Sequence, residues 1–443
     1  MTGAKFKNVQ GARLARARGP RRVPVRYTNL PGSAPLIEAT RLHKRGQLEL
    51  CAELYALALA REPESLDAAL NRAAVLLLTG PPSHAREALS AAEPFAQSNA
   101  RACRDVGFAW LTLGETDHAE SAFGRALALD PSLVGAHLAR AETLLELDRS
   151  VAAIEQAREA VTLAPHQAAA HLVLHNVLFE VDPDSAQLAL ARAIDLDPAW
   201  MVPTFLRACG LATRGQAREA KALVRASTIV KGFARIVDHA RTLCRGLRTF
   251  TSRARLLRCA LDRAPRDQLA LEFGVHHGAS TRVLAKHLDA RRGEHEAPCL
   301  FAFDSFRGLP EAWQGRAAGV FSTHGEVPPL PRSVEVHTGL FEDTLPAFLA
   351  DHDGPVGFVH LDADLYSSTR TVLEHLEARL GDGTVLVFDE YVGNASWEED
   401  EFRAFREFTE RSGHRYEHLA VNWLTGQVAV RLSCRGGCPL PLR

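Results

Sequence analysis

A chain of 443 residues is too long for one ordinary core, and 46% apolar residues place it among globular proteins of two or three domains. Its 52 basic and 53 acidic residues nearly cancel, which argues against a general binder of nucleic acid or of anionic membranes. No apolar run approaches the roughly 18 residues of a membrane span, and the basic N-terminus lacks the apolar stretch of a secretory signal.

Residues 1–33 carry eight Lys or Arg (Lys5, Lys7, Arg13, Arg16, Arg18, Arg21, Arg22 and Arg26), and no acid precedes Glu38. This composition predicts a solvated disordered arm; an adhesive arm for an anionic partner is the other reading. Similar phrases then recur: LAREPESLDAAL, ALALDPSLVGAHL, AVTLAPHQAAAHL and AIDLDPAWMVPTF. Their prolines, Pro63, Pro131, Pro165 and Pro198, stand 68, 34 and 33 positions apart, so one unit has lost its proline near Gln97. Such a period matches the tetratricopeptide repeat. In the unit ending at Pro131, Gly107 and Trp110 fall on a first helix, and Ala119, Phe123 and Ala126 on a second. Small residues let two antiparallel helices approach, and large ones fill the gap. Ala153, Ala157 and Ala160 repeat the pattern, as do Ala186, Leu190 and Ala193; Gly46, Gly80 and Gly114 fall at the turns. Five units are expected from about 34 to 198 and a weaker sixth to about 228, stacked as an α-helical solenoid. Its groove suits a peptide or protein partner, with a spacer or a surface for homo-oligomers as the alternative.

Residues 229–266 read as a helical linker ended by Pro265. From 267 to 433 strands and helices alternate. The expected strands are LALEFG (269–274), LFAFDSF (300–306), SVEVHTG (333–339), PVGFVHLD (355–362), TVLVFDEY (384–391), YEHLAVN and GQVAVRL. They predict an α/β, Rossmann-like domain: a mostly parallel seven-stranded sheet covered on both faces, with an antiparallel hairpin at one edge. Ligands of such sheets sit beyond the carboxyl ends of the strands. Those ends carry Glu272 with Gly274, then Asp304, Gly339, Asp362, and Asp389 with Glu390. Gly274 and Gly278 would let a ligand approach the backbone, and the helix beginning near Ser280 offers its N-terminus to an anion. The glycines alone also suit a nicotinamide cofactor. A dehydrogenase, however, needs no cluster of Asp362, Asp389 and Glu390. Those acids would repel unless a cation lay among them, and oxygen ligands favour Mg²⁺ or a similar hard ion.

In order and spacing, EFGVHHGAST, FDSFRGLPEAW, GLFEDTLP, HLDADLYSST and VFDEY resemble the macrocin O-methyltransferase family over about 250–432. The resemblance implies a class I, S-adenosyl-L-methionine-dependent and metal-dependent enzyme that methylates hydroxyls of deoxysugars and related natural products. The solenoid lies outside it. Glu272 suits the ammonium of the methionine part. The resemblance implies that Asp304 accepts both ribose hydroxyls and that Phe341 and Glu342 flank the adenine. It makes Asp362, Asp389 and Glu390 the metal ligands, although the family usually has a second Asp where Glu390 stands. Asp362 matches the proposed base, which takes the proton of an acceptor hydroxyl polarised by the metal. The segment from Arg307 to Arg332 matches a lid over the acceptor. Asp364 is expected to cap the following helix, His276 and His277 to be ordinary loop residues, and His360 to be a satisfied core residue.

Two other classes stay open at this point. Asp362 and Asp364 fit the DxD pair of a metal-dependent glycosyltransferase, and a repeat scaffold with a non-catalytic sheet domain would need no chemistry. After a tail at 434–443 the chain ends. Its eight cysteines, at 51, 103, 209, 244, 259, 299, 434 and 438, form no CxxC pair, so reduced thiols and a cytoplasmic location are expected.

Overall fold

The computed structural model describes residues 34–227, 229, 231–242, 247–292 and 299–433. The basic arm, the tail, Cys244, Cys434 and Cys438 lie outside the described residues.

Six helical hairpins follow one another: Ala34–Lys44 with Cys51–Arg61, Leu66–Thr79 with Pro82–Ala96, Ala100–Thr112 with Thr116–Leu129, Val134–Glu146 with Ser150–Leu163, Ala168–Leu178 with Pro183–Leu196, and Met201–Thr213 with Ala217–Arg225. The third unit shows why the period carries the fold. A Cβ on Gly107 would stand 2.5 Å from the ring of Phe123, so only glycine lets the two helices close on that wholly buried ring. Ala119, Ala122 and Ala126 are fully buried beside it. Where the proline is missing, Asn99 starts the helix instead, its side chain accepting Ala102 N–H at 3.1 Å. The turn within the third unit uses Gly114 at φ +72°, and Asp148 takes the left-handed place in the fourth at φ +64°.

The second half is an eight-stranded sheet. Its strands are β1 (Arg248–Thr249), β2 (Leu269–Phe273), β3 (Leu300–Asp304), β4 (Val334–Thr338), β5 (Val356–Leu361), β6 (Leu380–Phe388), β7 (Arg415–Val421) and β8 (Val428–Ser433), in the order β1-β7-β8-β6-β5-β2-β3-β4. β5 is buried at every residue, as a central strand covered on both faces must be. β8 alone runs antiparallel to its neighbours. The seven expected strands are present, and β1 is an addition. The stretch 229–266, expected to be helical throughout, is divided into helices Lys231–Ala240 and Arg253–Leu261 with β1 between them, pairing parallel to β7.

Helix turns of four successive repeats meet the sheet domain. Ser83 donates from its N–H and hydroxyl to Glu326 at 2.9 and 2.7 Å. The Gly114 carbonyl accepts Arg282 at 2.9 Å. Glu146 accepts the N–H groups of Arg253 and Ala254 at 3.1 and 2.9 Å. Asp148 and Glu180 both accept from Arg255, at 2.9 and 3.2 Å. Beside them one apolar cluster runs unbroken from Leu172, Phe205 and Cys209 through Ile236 to Leu271, Leu361, Phe388 and Val428. The last repeats and the sheet thus share a core.

Candidate active site

Strand register places the site. Phe273 pairs with Leu361 and Leu361 with Phe388, so the next residues, Gly274, Asp362 and Asp389, leave the sheet side by side. Asp304 ends β3 at the same level. The ladder continues one residue further through Gly274 N–H to Phe303, Asp362 N–H to Phe273, and Asp389 N–H to Leu361, at 2.8–2.9 Å. Gly274 has φ +92°, and a Cβ there would lie 2.0 Å from the Asp362 carbonyl oxygen, so no side chain fits. These ends border a cleft of about 330 Å³, which Arg253, His276, Phe341, Glu342, Asp364 and Glu390 also line. It opens next to the boundary of β2 and β5, where the strand order reverses.

The acidic side of the cleft is a chain of alternating charges. Glu272, fully buried, bonds His360 Nδ1 at 3.0 Å, and His360 Nε2 stands 3.7 Å from Asp389. Asp389 accepts Arg253 at 2.6 Å and the side-chain amide of Gln427. The same Arg253 nitrogen reaches Asp362 at 3.3 Å. Burial opposes charge on His360, yet the neighbouring acids Asp389 and Glu272 push its pKa up to about 9. Burial likewise works against ionising Asp389, but Arg253 and His360 hold it well below the usual carboxylate range. Asp362 is pushed up to about 7, first by burial and then by Asp389. Burial and the fields of Asp362, Glu390 and Asp389 push Asp364 up to about 9.

Of the expected site residues, Gly274, Asp304, Phe341, Glu342, Asp362, Asp389 and Glu390 line the cleft. Gly278 and Ser280 do not. Pro328 and Leu330 of the long loop cover Gly278, where a Cβ would meet Leu330 at 2.6 Å, so the helix beginning at Ala279 does not present its start to the cleft. Glu272 also stays beneath the floor, one oxygen committed to His360, rather than facing an ammonium group. Asp304 braces the loop: its carboxylate accepts Val275, His276 and Phe306 N–H at 2.7–2.8 Å. A carboxylate offers about four acceptor positions, so one remains for a ribose hydroxyl. Asp364 is not a cap. The helix Tyr366–Leu376 has Leu365 at its N-cap with no side-chain bond, and Asp364 sits at φ +57° on the cleft wall.

The expected Mg²⁺ set does not fit this arrangement. Among the described residues the group of three within ligand distance of one another is His360, Asp362 and Asp389, all within 4.8 Å; Glu390 and Asp364 are not part of it. Glu390 turns instead toward Gly393, where a Cβ would stand 2.7 Å from its carboxylate. Arg253 already lies between Asp362 and Asp389, so a second cation would face its charge at close range.

Sequence reasoning missed Arg253, Gln427 and Glu401. Glu401 is buried and accepts the N–H of Ala363 and of Glu390, at 3.4 and 2.9 Å, fixing both acidic strand ends. Nothing in local spacing marks these residues. His360 did carry a signal, since it lies two residues before Asp362 on the same strand face and pairs in register with Glu272. The long loop carries Ser305, Gly308, Leu309, Pro310 and Phe321 to the cleft and is latched by Ser367 hydroxyl donating to Glu311.

No curated protein matches the chain. Among solved structures, MamA matches at 18% identity over 38% of this chain and 92% of that one, with a TM-score of 0.35. YrrB, a TPR protein with an unusual peptide-binding site, matches at 18% identity over 40% and 92%, with a TM-score of 0.36. MamA from Desulfovibrio magneticus RS-1 matches at 15% identity over 38% and 96%, with a TM-score of 0.35. Residues 271–391, from the middle of β2 to just past the acids of β6, match the family model of a methyltransferase domain, and the sheet domain is read as one.

Proposed function

We propose that the chain is an S-adenosyl-L-methionine-dependent O-methyltransferase acting on a hydroxyl of a sugar, natural-product or glycan acceptor. The observation that carries this reading is the row of Asp304, Gly274, Asp362 and Asp389 along one cleft, inside the stretch that matches a methyltransferase domain. The methyl donor takes the end at Gly274, Asp304, Gly339 and Phe341. Asp304 accepts one ribose hydroxyl with its remaining position, and Glu342, on the same wall, takes the other. The acceptor takes the end at Asp362, Ser368 and Thr371 under the loop that carries Phe321.

Bound there, S-adenosylmethionine supplies an electrophilic methyl group on sulfur. Asp362 accepts the proton of the acceptor hydroxyl as the oxygen–carbon bond forms and the carbon–sulfur bond breaks. The products are a methyl ether, S-adenosylhomocysteine and a proton that passes from Asp362 to water. Alignment of the two reactants is the main contribution, worth roughly 7–11 kcal/mol of barrier.

The solenoid docks a protein or peptide partner, or a carrier of the acceptor, on helix faces that the sheet domain leaves free. Cys51, Cys103, Cys209 and Cys259 are free and buried thiols, which suits a reducing compartment such as the cytoplasm. Among the described residues no helix is long and apolar enough to cross a membrane. Transfer of labelled methyl from the donor to a panel of hydroxylated sugars and glycans tests the reading. Label on an acceptor oxygen, lost in Asp362→Asn, supports it; a wild-type protein that binds neither donor nor S-adenosylhomocysteine overturns it.

A further inference from the structure

We infer that Arg253 provides, as a fixed guanidinium, the positive charge that a divalent ion would otherwise bring to Asp362 and Asp389, and that the repeat solenoid holds it there. Its use in catalysis rests on the methyl-transfer reading; its exclusion of metal does not.

The geometry carries both halves. One nitrogen of Arg253 lies 2.6 Å from Asp389 and 3.3 Å from Asp362, between the acids of β5 and β6. Gln427 donates to the same Asp389 oxygen that Arg253 meets, so that oxygen has no place left for an ion. Arg253 also borders the cleft and faces the place where an acceptor oxygen would gain charge. A preorganised cation there stabilises a developing alkoxide without being recruited from solution.

Arg253 is the first residue of the helix Arg253–Leu261, which belongs to neither the repeats nor the matched methyltransferase stretch. The start of that helix is held from two sides. Ser252 accepts Arg255 N–H at 3.2 Å, and Glu146, the last residue of a fourth-repeat helix, accepts the N–H groups of Arg253 and Ala254. Thr251 adds a bond to the Asn176 carbonyl of the fifth repeat at 2.7 Å. Arg255 then reaches Asp148, Glu180 and Ser150. The guanidinium is therefore positioned by the solenoid as well as by the sheet.

Mn²⁺ titration of the full chain, read by electron paramagnetic resonance without any methyl donor, tests this apart from activity. Wild type is expected to take up no stoichiometric Mn²⁺. Arg253→Ala, checked for folding by circular dichroism, is expected to gain a site that the added change Asp389→Asn removes. Arg253→Lys, which keeps the charge, is expected to exclude Mn²⁺ as wild type does. Glu146→Ala is expected to admit Mn²⁺ more weakly than Arg253→Ala; exclusion as complete as in wild type would remove the solenoid's part. Stoichiometric Mn²⁺ on the wild type that Asp389→Asn abolishes would overturn the inference, whatever the folding of the Arg253 variants.

Discussion

In the solenoid, Phe123 finds Gly107 within its own hairpin, and buried alanines repeat from one unit to the next. In the sheet domain, Asp362 and Asp389 meet an arginine 109 and 136 residues away. The first region is stabilised by apolar contacts of one recurring kind, each near in sequence. The second gathers charges that no single segment could hold together, and it draws one of them from the seam between the two. The difference separates stability from chemistry: damage to one hairpin should weaken the fold and spare the cleft, whereas a single rim charge should silence the cleft and spare the fold.

The largest effect should follow Asp362→Asn. Loss of a positioned base typically costs about 10²–10⁴-fold in rate, with S-adenosylhomocysteine affinity retained. Turnover measured beside calorimetry checks this, and equal losses in both would merge the two roles. Phe123→Ala comes next, at about 3–5 kcal/mol of solenoid stability by chemical unfolding, because the glycine-lined space cannot close. Donor binding should survive it. Glu146→Ala strikes the seam. It removes a cap of the Arg253 helix, worth about 0.5–2 kcal/mol, and should lower turnover out of proportion to stability.

A smaller, graded effect concerns pH. The active form of Asp362 is the carboxylate, and its raised pKa of about 7 means that this form is lost as pH falls through neutrality. Turnover should therefore climb across that range and level above it, a slope absent from any residual activity of Asp362→Asn. Least of all should change on adding EDTA, which should leave turnover as it was.

These contrasts also explain what the sequence made legible. The 34-residue period and its glycines and alanines reported the hairpins because each contact is local and repeated. Alternating apolar runs reported β2 to β8, and rim acids reported the cleft, because burial on both faces leaves polar residues only at strand ends. Arg253, Gln427 and Glu401 were silent. Each acts across long separations through one side chain, and an arginine after a serine reads as any helix start. β1 has only two residues, too few for a periodic signal. Asp304 and Glu272 were found as acids, but their partners, three backbone N–H groups and a buried histidine, were not legible because they depend on the folded register.

Calorimetric titration of the wild-type chain with S-adenosylhomocysteine in the presence of EDTA asks whether the cleft takes the methyl donor without a metal ion. Saturable, stoichiometric binding is the predicted result. Absence of binding would overturn the methyl-transfer reading, and thermal stabilisation by a nucleotide-sugar would then point to glycosyl transfer.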